Sequence, residues 1–130
     1  VDAVRERLGG MGVFALPSRI EGNSNAILEA MAAGLPVVST HVGGTPMLVG
    51  ADGRQFLVEP GDRAGLASCL LDLIQDEKLR SRVGDAMRQR IEDHFDIRRV
   101  AATYAEAYQL LATGSRDRLA GIGNPLIAGK

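Results

Sequence analysis

Two short apolar runs flank one helix-forming stretch, and this alternation is what most restricts the architecture. Residues 13–16 (VFAL) are closed by Pro17-Ser18, and residues 35–39 (LPVVS) carry Pro36 near their start. Short apolar runs bounded by turn residues read as buried strands, and proline is tolerated at a strand's beginning. Between them, residues 25–33 (NAILEAMAA) are strong helix formers. Asn23 or Ser24 can cap that helix, and Gly34 can stop it. Gly43-Gly44 breaks the chain again, and Thr45-Pro46-Met47-Leu48-Val49 reads as a short helix with proline in its first turn. Residues 56–58 (FLV) form a third strand candidate. Strand, helix, strand, helix, strand implies a parallel sheet with crossover helices. The expected fold class is therefore α/β: part of a Rossmann-like sheet, followed by a helical carboxy-terminal region.

That helical region begins after Asp62, an N-cap candidate, with Leu66, Leu70, Leu71, Leu73 and Ile74 as its apolar face. A second helix spans about 76–94, with Leu79, Val83, Met87 and Ile91 at helical spacing. A third follows Asp96 and carries Val100, Tyr104, Tyr108 and Leu111 before Gly114 ends it. Residues 115–130 hold three glycines and no period, and read as a loop-like tail.

Composition narrows the partners. The chain has 130 residues, 45% hydrophobic and 24% charged, ordinary values for one soluble domain. A net charge of −1 leaves no basic footprint for nucleic acid. The single cysteine, Cys69, excludes an internal disulfide and fits a reducing, cytoplasmic setting; its apolar flanks place it in the core. No signal peptide or run of membrane-spanning length is present. Arg80, Arg82, Arg88, Arg90, Arg98 and Arg99 read as solvated helix faces. Peripheral contact with an anionic membrane surface, at its inner face, is the one membrane role they leave open. The chain starts at Val1, and a three-stranded parallel sheet would expose an edge at its first strand. Both features lead us to expect further chain upstream.

The chemistry concentrates in residues 17–38, PSRIEGNSNAILEAMAAGLPVV. Glu21 falls in a loop at the carboxyl end of a strand, and Glu29 about one turn into the next helix. Open α/β sheets bind ligands at those strand ends. A helix amino terminus there offers free N–H groups and a positive dipole end, which suit a diphosphate. Gly22 allows close approach to the backbone. Carboxylates would repel phosphate, so they are better used as acceptors for hydroxyl groups on either side of it. A nucleotide sugar has such hydroxyls, on ribose and on sugar, although other phosphorylated ligands fit the same residue types. Taken alone, Glu29 also fits a solvated helix residue, and Glu21 a charge that complements the helix dipole. Gly9-Gly10-Met11-Gly12 is no dinucleotide fingerprint, because it precedes a strand instead of following one. Gly43-Gly44 reads as a turn more than a phosphate cradle.

The Glu21–Glu29 segment resembles the Glu-x7-Glu motif of the family 4 retaining glycosyltransferases, which have the two-domain GT-B fold. Its wording is similar to that of their bacterial polysaccharide-assembly members. Thr40-His41-Val42-Gly43-Gly44-Thr45-Pro46 and Phe56-Leu57-Val58-Glu59-Pro60-Gly61-Asp62 resemble two further motifs of that family. The likeness covers nearly all of residues 4–111. It departs at Gly12, where the family usually has aspartate, and at Met47, where it usually has glutamate.

This resemblance implies roles residue by residue. Glu21 would contact hydroxyls of the transferred sugar as the catalytic carboxylate. Gly22, Asn23, Ser24, Asn25 and Ala26 would line the donor, with the N–H groups of Asn25 and Ala26 on its diphosphate. Glu29 would bind the ribose hydroxyls. The implied reaction moves a sugar from a nucleotide-diphosphate sugar donor to a saccharide or lipid-linked acceptor with retention, and needs no metal or other cofactor. Residues 1–114 would then be part of a donor-binding domain and 115–130 its tail. The family's basic pair and its amino-terminal acceptor domain are missing from this chain, so the chain alone is expected to be inactive. A binding module without turnover and a GT-B sugar-nucleotide epimerase are the alternatives that the same residues allow.

Overall fold

The computed structural model describes residues 2–114 and Ile122. The reading of 115–130 as a tail lies outside the described residues except at Ile122. The chain forms two compact units, one ending at Arg90 and the other beginning at Ile91.

In the first unit, helix α1 (Asp2–Gly9) leads into strand β1 (Phe14–Leu16), helix α2 (Asn25–Ala32), strand β2 (Val37–Thr40) and helix α3 (Thr45–Gly53). A 3-10 turn (Arg54–Phe56), strand β3 (Leu57–Val58) and helix α4 (Arg63–Gln75) follow, and helix α5 (Glu77–His94) runs up to and past the boundary. The sheet has the order β1-β2-β3 and both pairings are parallel: Phe14 sits opposite Val37, and Thr40 opposite Val58. The α/β class expected from the strand–helix alternation is therefore the observed one. Strand β2 is buried along its whole length, as a central parallel strand covered on both faces should be. Ile27, Ala30 and Met31 of α2, Leu48 and Val49 of α3, Leu73 of α4, and Val83 and Met87 of α5 complete that core. No described helix is long and apolar enough to cross a membrane.

Several local expectations are corrected. Helix α1 is unanticipated, because its sequence DAVRERLG has no apolar stripe; among its described residues only Leu8 is buried. Phe56 belongs to the turn before β3 and not to the strand. The helix expected over 45–49 extends to Gly53, but is interrupted at Gly50 (φ 66°, ψ −163°). Ser24 occupies the N-cap of α2 without a capping hydrogen bond from its side chain. Asp62 does cap α4, accepting from the Gly65 N–H at 2.8 Å. Leu71 and Ile74, expected on the apolar face of α4, are exposed, because only the Leu73 side of that helix meets the sheet layer. Cys69 is half-buried, with its Sγ 3.8 Å from the Gln55 carbonyl oxygen. Burial pushes its thiol pKa up, and the nearby Asp72 and Asp62 add to that.

The arginines of α5 give the largest correction. Three of them are not merely solvated. Arg80 Nη1 donates to the carbonyls of Leu73 (2.9 Å) and Ile74 (3.1 Å), Arg88 Nη2 to Ala33 (3.1 Å), and Arg90 to Leu48 (Nε, 2.7 Å) and Met47 (Nη2, 2.7 Å). These carbonyls lie at the carboxyl ends of α4, of α2, and of the first segment of α3. Helix ends leave such groups without intrahelical partners and carry a partial negative charge. The break at Gly50 is what exposes the Met47 and Leu48 carbonyls. A Cβ at Gly50 would crowd the Arg90 guanidinium, and L-residues rarely adopt its positive φ. Arg90→Ala should therefore destabilise the protein by about 2 kcal/mol, the loss of charged hydrogen bonds to the part-buried Met47 and Leu48 carbonyls. Lysine should not rescue it, because an ammonium cannot form the planar fork. Chemical denaturation of the three proteins checks both statements.

In the second unit, helix α6 (Ile97–Ala112) is capped by Asp96, which accepts from the Arg98 N–H at 2.9 Å. That bond holds the Asp96 carboxyl below its usual pKa. Val100 is half-buried, while Tyr104, Tyr108 and Leu111 are exposed. Arg98 pairs with Asp96 at 3.4 Å; the Arg99 side chain lies outside what the structure describes.

Candidate functional site

The loop after β1 is held in place by hydroxyl groups at the carboxyl ends of two strands. Ser39 Oγ donates to the Leu16 carbonyl at 2.7 Å, and Thr40 Oγ1 donates to the Ser18 carbonyl. Both hydroxyls are almost fully buried, where an unpaired polar group would cost about 1–3 kcal/mol. Tying them to the β1 loop satisfies them and fixes where that loop leaves the sheet. Ser18 Oγ in turn donates to Glu21 Oε1 at 2.6 Å. Glu21 is thus half-buried and oriented.

A second brace comes from Gly43-Gly44. The Gly44 N–H donates to the Gly22 carbonyl at 3.1 Å. A Cβ on Gly43 (φ 51°) would overlap the Glu21 carbonyl, and one on Gly44 would overlap Asn23 Oδ1 and the Gly22 carbonyl. The turn read from these two glycines is thus also the surface on which the loop of Glu21, Gly22 and Asn23 rests. Neighbouring Thr45 is fully buried, and its Oγ1 has no hydrogen-bond partner among the described residues.

Helix α2 starts at the end of this loop. The Leu28 N–H bonds the Ser24 carbonyl. No acceptor among the described residues meets the N–H groups of Asn25 and Ala26, both exposed, since the Ser24 side chain does not cap them. The structure therefore leaves an open helix amino terminus at the carboxyl end of β1.

Among the described residues, Glu29 lines a cavity whose lining does not include Glu21. Glu29 is exposed, and its cavity, of about 620 Å³, is also lined by Val4, Leu8, Ala32 and Arg88. That volume is of the size that holds a small-molecule ligand. Glu21 faces Ser18, which itself lines a second cleft of about 240 Å³ at the strand ends with Arg19, Thr40 and Arg63. Gly22 and Asn23 are exposed and Ser24 is buried. The chain thus gathers 21–26 at one strand end and places Glu29 further along α2. Sequence reasoning missed Ser18, Ser39 and Thr40. Their signal was the placing of hydroxyl residues where two apolar runs end, in LPS and VVST.

A parallel β-α-β unit with an open helix amino terminus at its strand ends is the frame of α/β domains that receive phosphorylated ligands. Residues 1–76 match the family model described as Glycosyl transferases group 1. The chain belongs to that family, the family 4 glycosyltransferases of GT-B fold that its motif resembles. It is 32% identical over 107 residues to the N-acetyl-alpha-D-glucosaminyl L-malate synthase of Bacillus anthracis, covering 82% of this chain and 28% of that protein. It is 39% identical over 85 residues to the capsular polysaccharide biosynthesis glycosyltransferase CapM of Staphylococcus aureus (65% and 22%). Over 103 residues it is 36% identical to the MMP alpha-(1->4)-mannosyltransferase of Mycolicibacterium hassiacum (78% and 25%). The chain thus spans about a quarter of the length of these relatives.

Proposed function

We propose that this chain supplies the donor-binding half of a glycosyltransferase site, which takes a nucleotide-diphosphate sugar and gives up the sugar to a saccharide or lipid-linked acceptor with retention of configuration. The observation that carries the reading is the uncapped amino terminus of α2, whose Asn25 and Ala26 N–H groups are unspent at the end of β1. Such groups, with the helix dipole behind them, favour a diphosphate. The relatives named above transfer N-acetylglucosaminyl or mannosyl groups or build capsule, by their names, which supports a sugar donor.

In this proposal Gly22, Asn23 and Ser24 let the donor approach the backbone, and Asn25 and Ala26 donate to its diphosphate. Glu29 accepts from the ribose hydroxyls at the mouth of its cavity. Glu21 accepts from sugar hydroxyls and stabilises positive charge that develops at the anomeric carbon as the diphosphate leaves. Negative charge that builds on the leaving diphosphate meets the helix amino terminus, which is already oriented and needs no reorganisation. Residues 1–114 act as part of the donor domain, and other segments of the protein supply the acceptor site. The reaction runs in the cytoplasm, with peripheral contact at the inner membrane face when the acceptor is lipid-linked.

The test separates the two carboxylates in the full-length protein. Glu29→Ala should weaken binding of the nucleoside diphosphate by ~1.5–3 kcal/mol, the worth of hydrogen bonds to a charged group, with the fold unchanged. Glu21→Gln should spare that affinity, because the diphosphate alone has no sugar, but lower kcat roughly a hundredfold, or ~2.7 kcal/mol of transition-state stabilisation. Calorimetry and turnover with a panel of nucleotide sugars decide the matter. The opposite pattern would exchange the two roles, and no effect from either variant would remove the site.

A further inference from the structure

We infer that Ser18 is a positioning residue: its hydroxyl holds one oxygen of Glu21 so that the other faces the transferred sugar. The inference rests on the donor site proposed above and adds a residue that the motif does not contain.

Ser18 is firmly fixed. Its N–H donates to the Leu16 carbonyl at 3.0 Å, its carbonyl accepts from Thr40 Oγ1, and its hydroxyl donates to Glu21 Oε1 at 2.6 Å. Three of its polar groups are thus committed, two of them to backbone or side chain of the sheet. Thr40, the anchor, is 2% exposed and belongs to the central strand, where it pairs with Val58. A rigid strand therefore sets the Ser18 carbonyl, and Ser18 sets Glu21. A hydroxyl has a single proton to donate, so this bond engages Oε1 alone. Oε2 has no partner among the described residues.

A carboxylate free to rotate presents its oxygens in many directions and loses side-chain entropy when a ligand arrests it. One pinned beforehand by a charge-assisted hydrogen bond has met that loss during folding. Ser18 should therefore affect only those ligands that Glu21 touches. The nucleoside diphosphate should be indifferent to Ser18, and the nucleotide sugar should not.

The experiment compares Ser18→Ala, Ser18→Thr, Glu21→Gln and the Ser18→Ala/Glu21→Gln double variant of the full-length protein. Affinities for UDP, UDP-glucose, UDP-N-acetylglucosamine, GDP and GDP-mannose are measured by calorimetry, and crystal structures of the two Ser18 variants are determined. Ser18→Ala should reduce the preference for the sugar-bearing nucleotide over its diphosphate about tenfold, while leaving the diphosphate affinity and the melting temperature in place. Its structure should show the Glu21 carboxylate displaced. Ser18→Thr, which keeps the hydroxyl, should restore both. On the Glu21→Gln background Ser18→Ala should add nothing. The inference is overturned if Glu21 stays in place in Ser18→Ala, if the preference is unchanged while Glu21→Gln lowers it, or if the two effects add. If Glu21→Gln alone leaves the preference untouched, the failure lies in the proposed donor site, and the inference falls with it.

Discussion

Gly43→Ala is expected to abolish measurable donor binding while leaving most of the sheet folded. Alanine at φ 51° would sit in the left-handed region, which costs an L-residue roughly 1–2 kcal/mol. Its Cβ would also overlap the Glu21 carbonyl oxygen. That neighbour is backbone, so it cannot rotate away as a side chain could. The loop must move, and with it the Glu21 carboxylate and the approach to α2. Misplacing such a site by about 1 Å can cost a hundredfold, so nucleotide-sugar affinity should fall at least that far. The strain itself should lower stability by about 2–3 kcal/mol. Calorimetry with the donor panel and a urea melt read the two effects separately. A Gly43→Ala protein with native affinity would mean that the brace between the two loops has no part in binding.

Gly84→Ala should damage the fold and not the site. Gly84 lies inside α5, buried, where alanine would by itself favour the helix by about 1 kcal/mol. A Cβ there would, however, overlap the carbonyl oxygen of Gly34, at the turn between α2 and β2. Overpacking costs typically 1–3 kcal/mol and more when backbone must shift. The steric cost wins. The expected net loss is about 2 kcal/mol, and for a chain of this length a drop in melting temperature of roughly 8 °C. A rise in melting temperature would show that α5 can move away from the turn at little cost.

Much of this architecture was legible in the sequence, for physical reasons that also mark where reading stopped. The runs VFAL and LPVVS betrayed β1 and β2 because buried parallel strands are apolar on both faces. Asp62 and Asp96 announced α4 and α6 because a cap works within three residues. The Glu21–Glu29 spacing gave the candidate site through resemblance, and the structure places the two glutamates on the loop and the helix where that spacing put them. What stayed hidden depends on partners far along the chain. Arg88 and Arg90 carry no local sign that distinguishes them from solvated arginines, since their carbonyl partners lie 42 to 55 residues away. Ser18 and Thr40, 22 residues apart, are linked only once the strands pair. Helix α1 offered no apolar stripe to read.

The arginines of α5 have a consequence for how such a domain can change. Arg88 and Arg90 fasten α2 and the first segment of α3 at their carboxyl ends, while the loop of residues 21–24 and the Gly43-Gly44 turn sit at the amino ends of those same helices. Anchorage is therefore encoded apart from the loop of Glu21, although Arg88 also borders the cavity that Glu29 lines. Loop residues such as Arg19, Ile20 and Asn23 can be exchanged to alter donor preference without loosening the scaffold, and a library confined to them should retain a high proportion of folded members. Randomising α5 should do the reverse, and lose the protein before any new specificity could be selected.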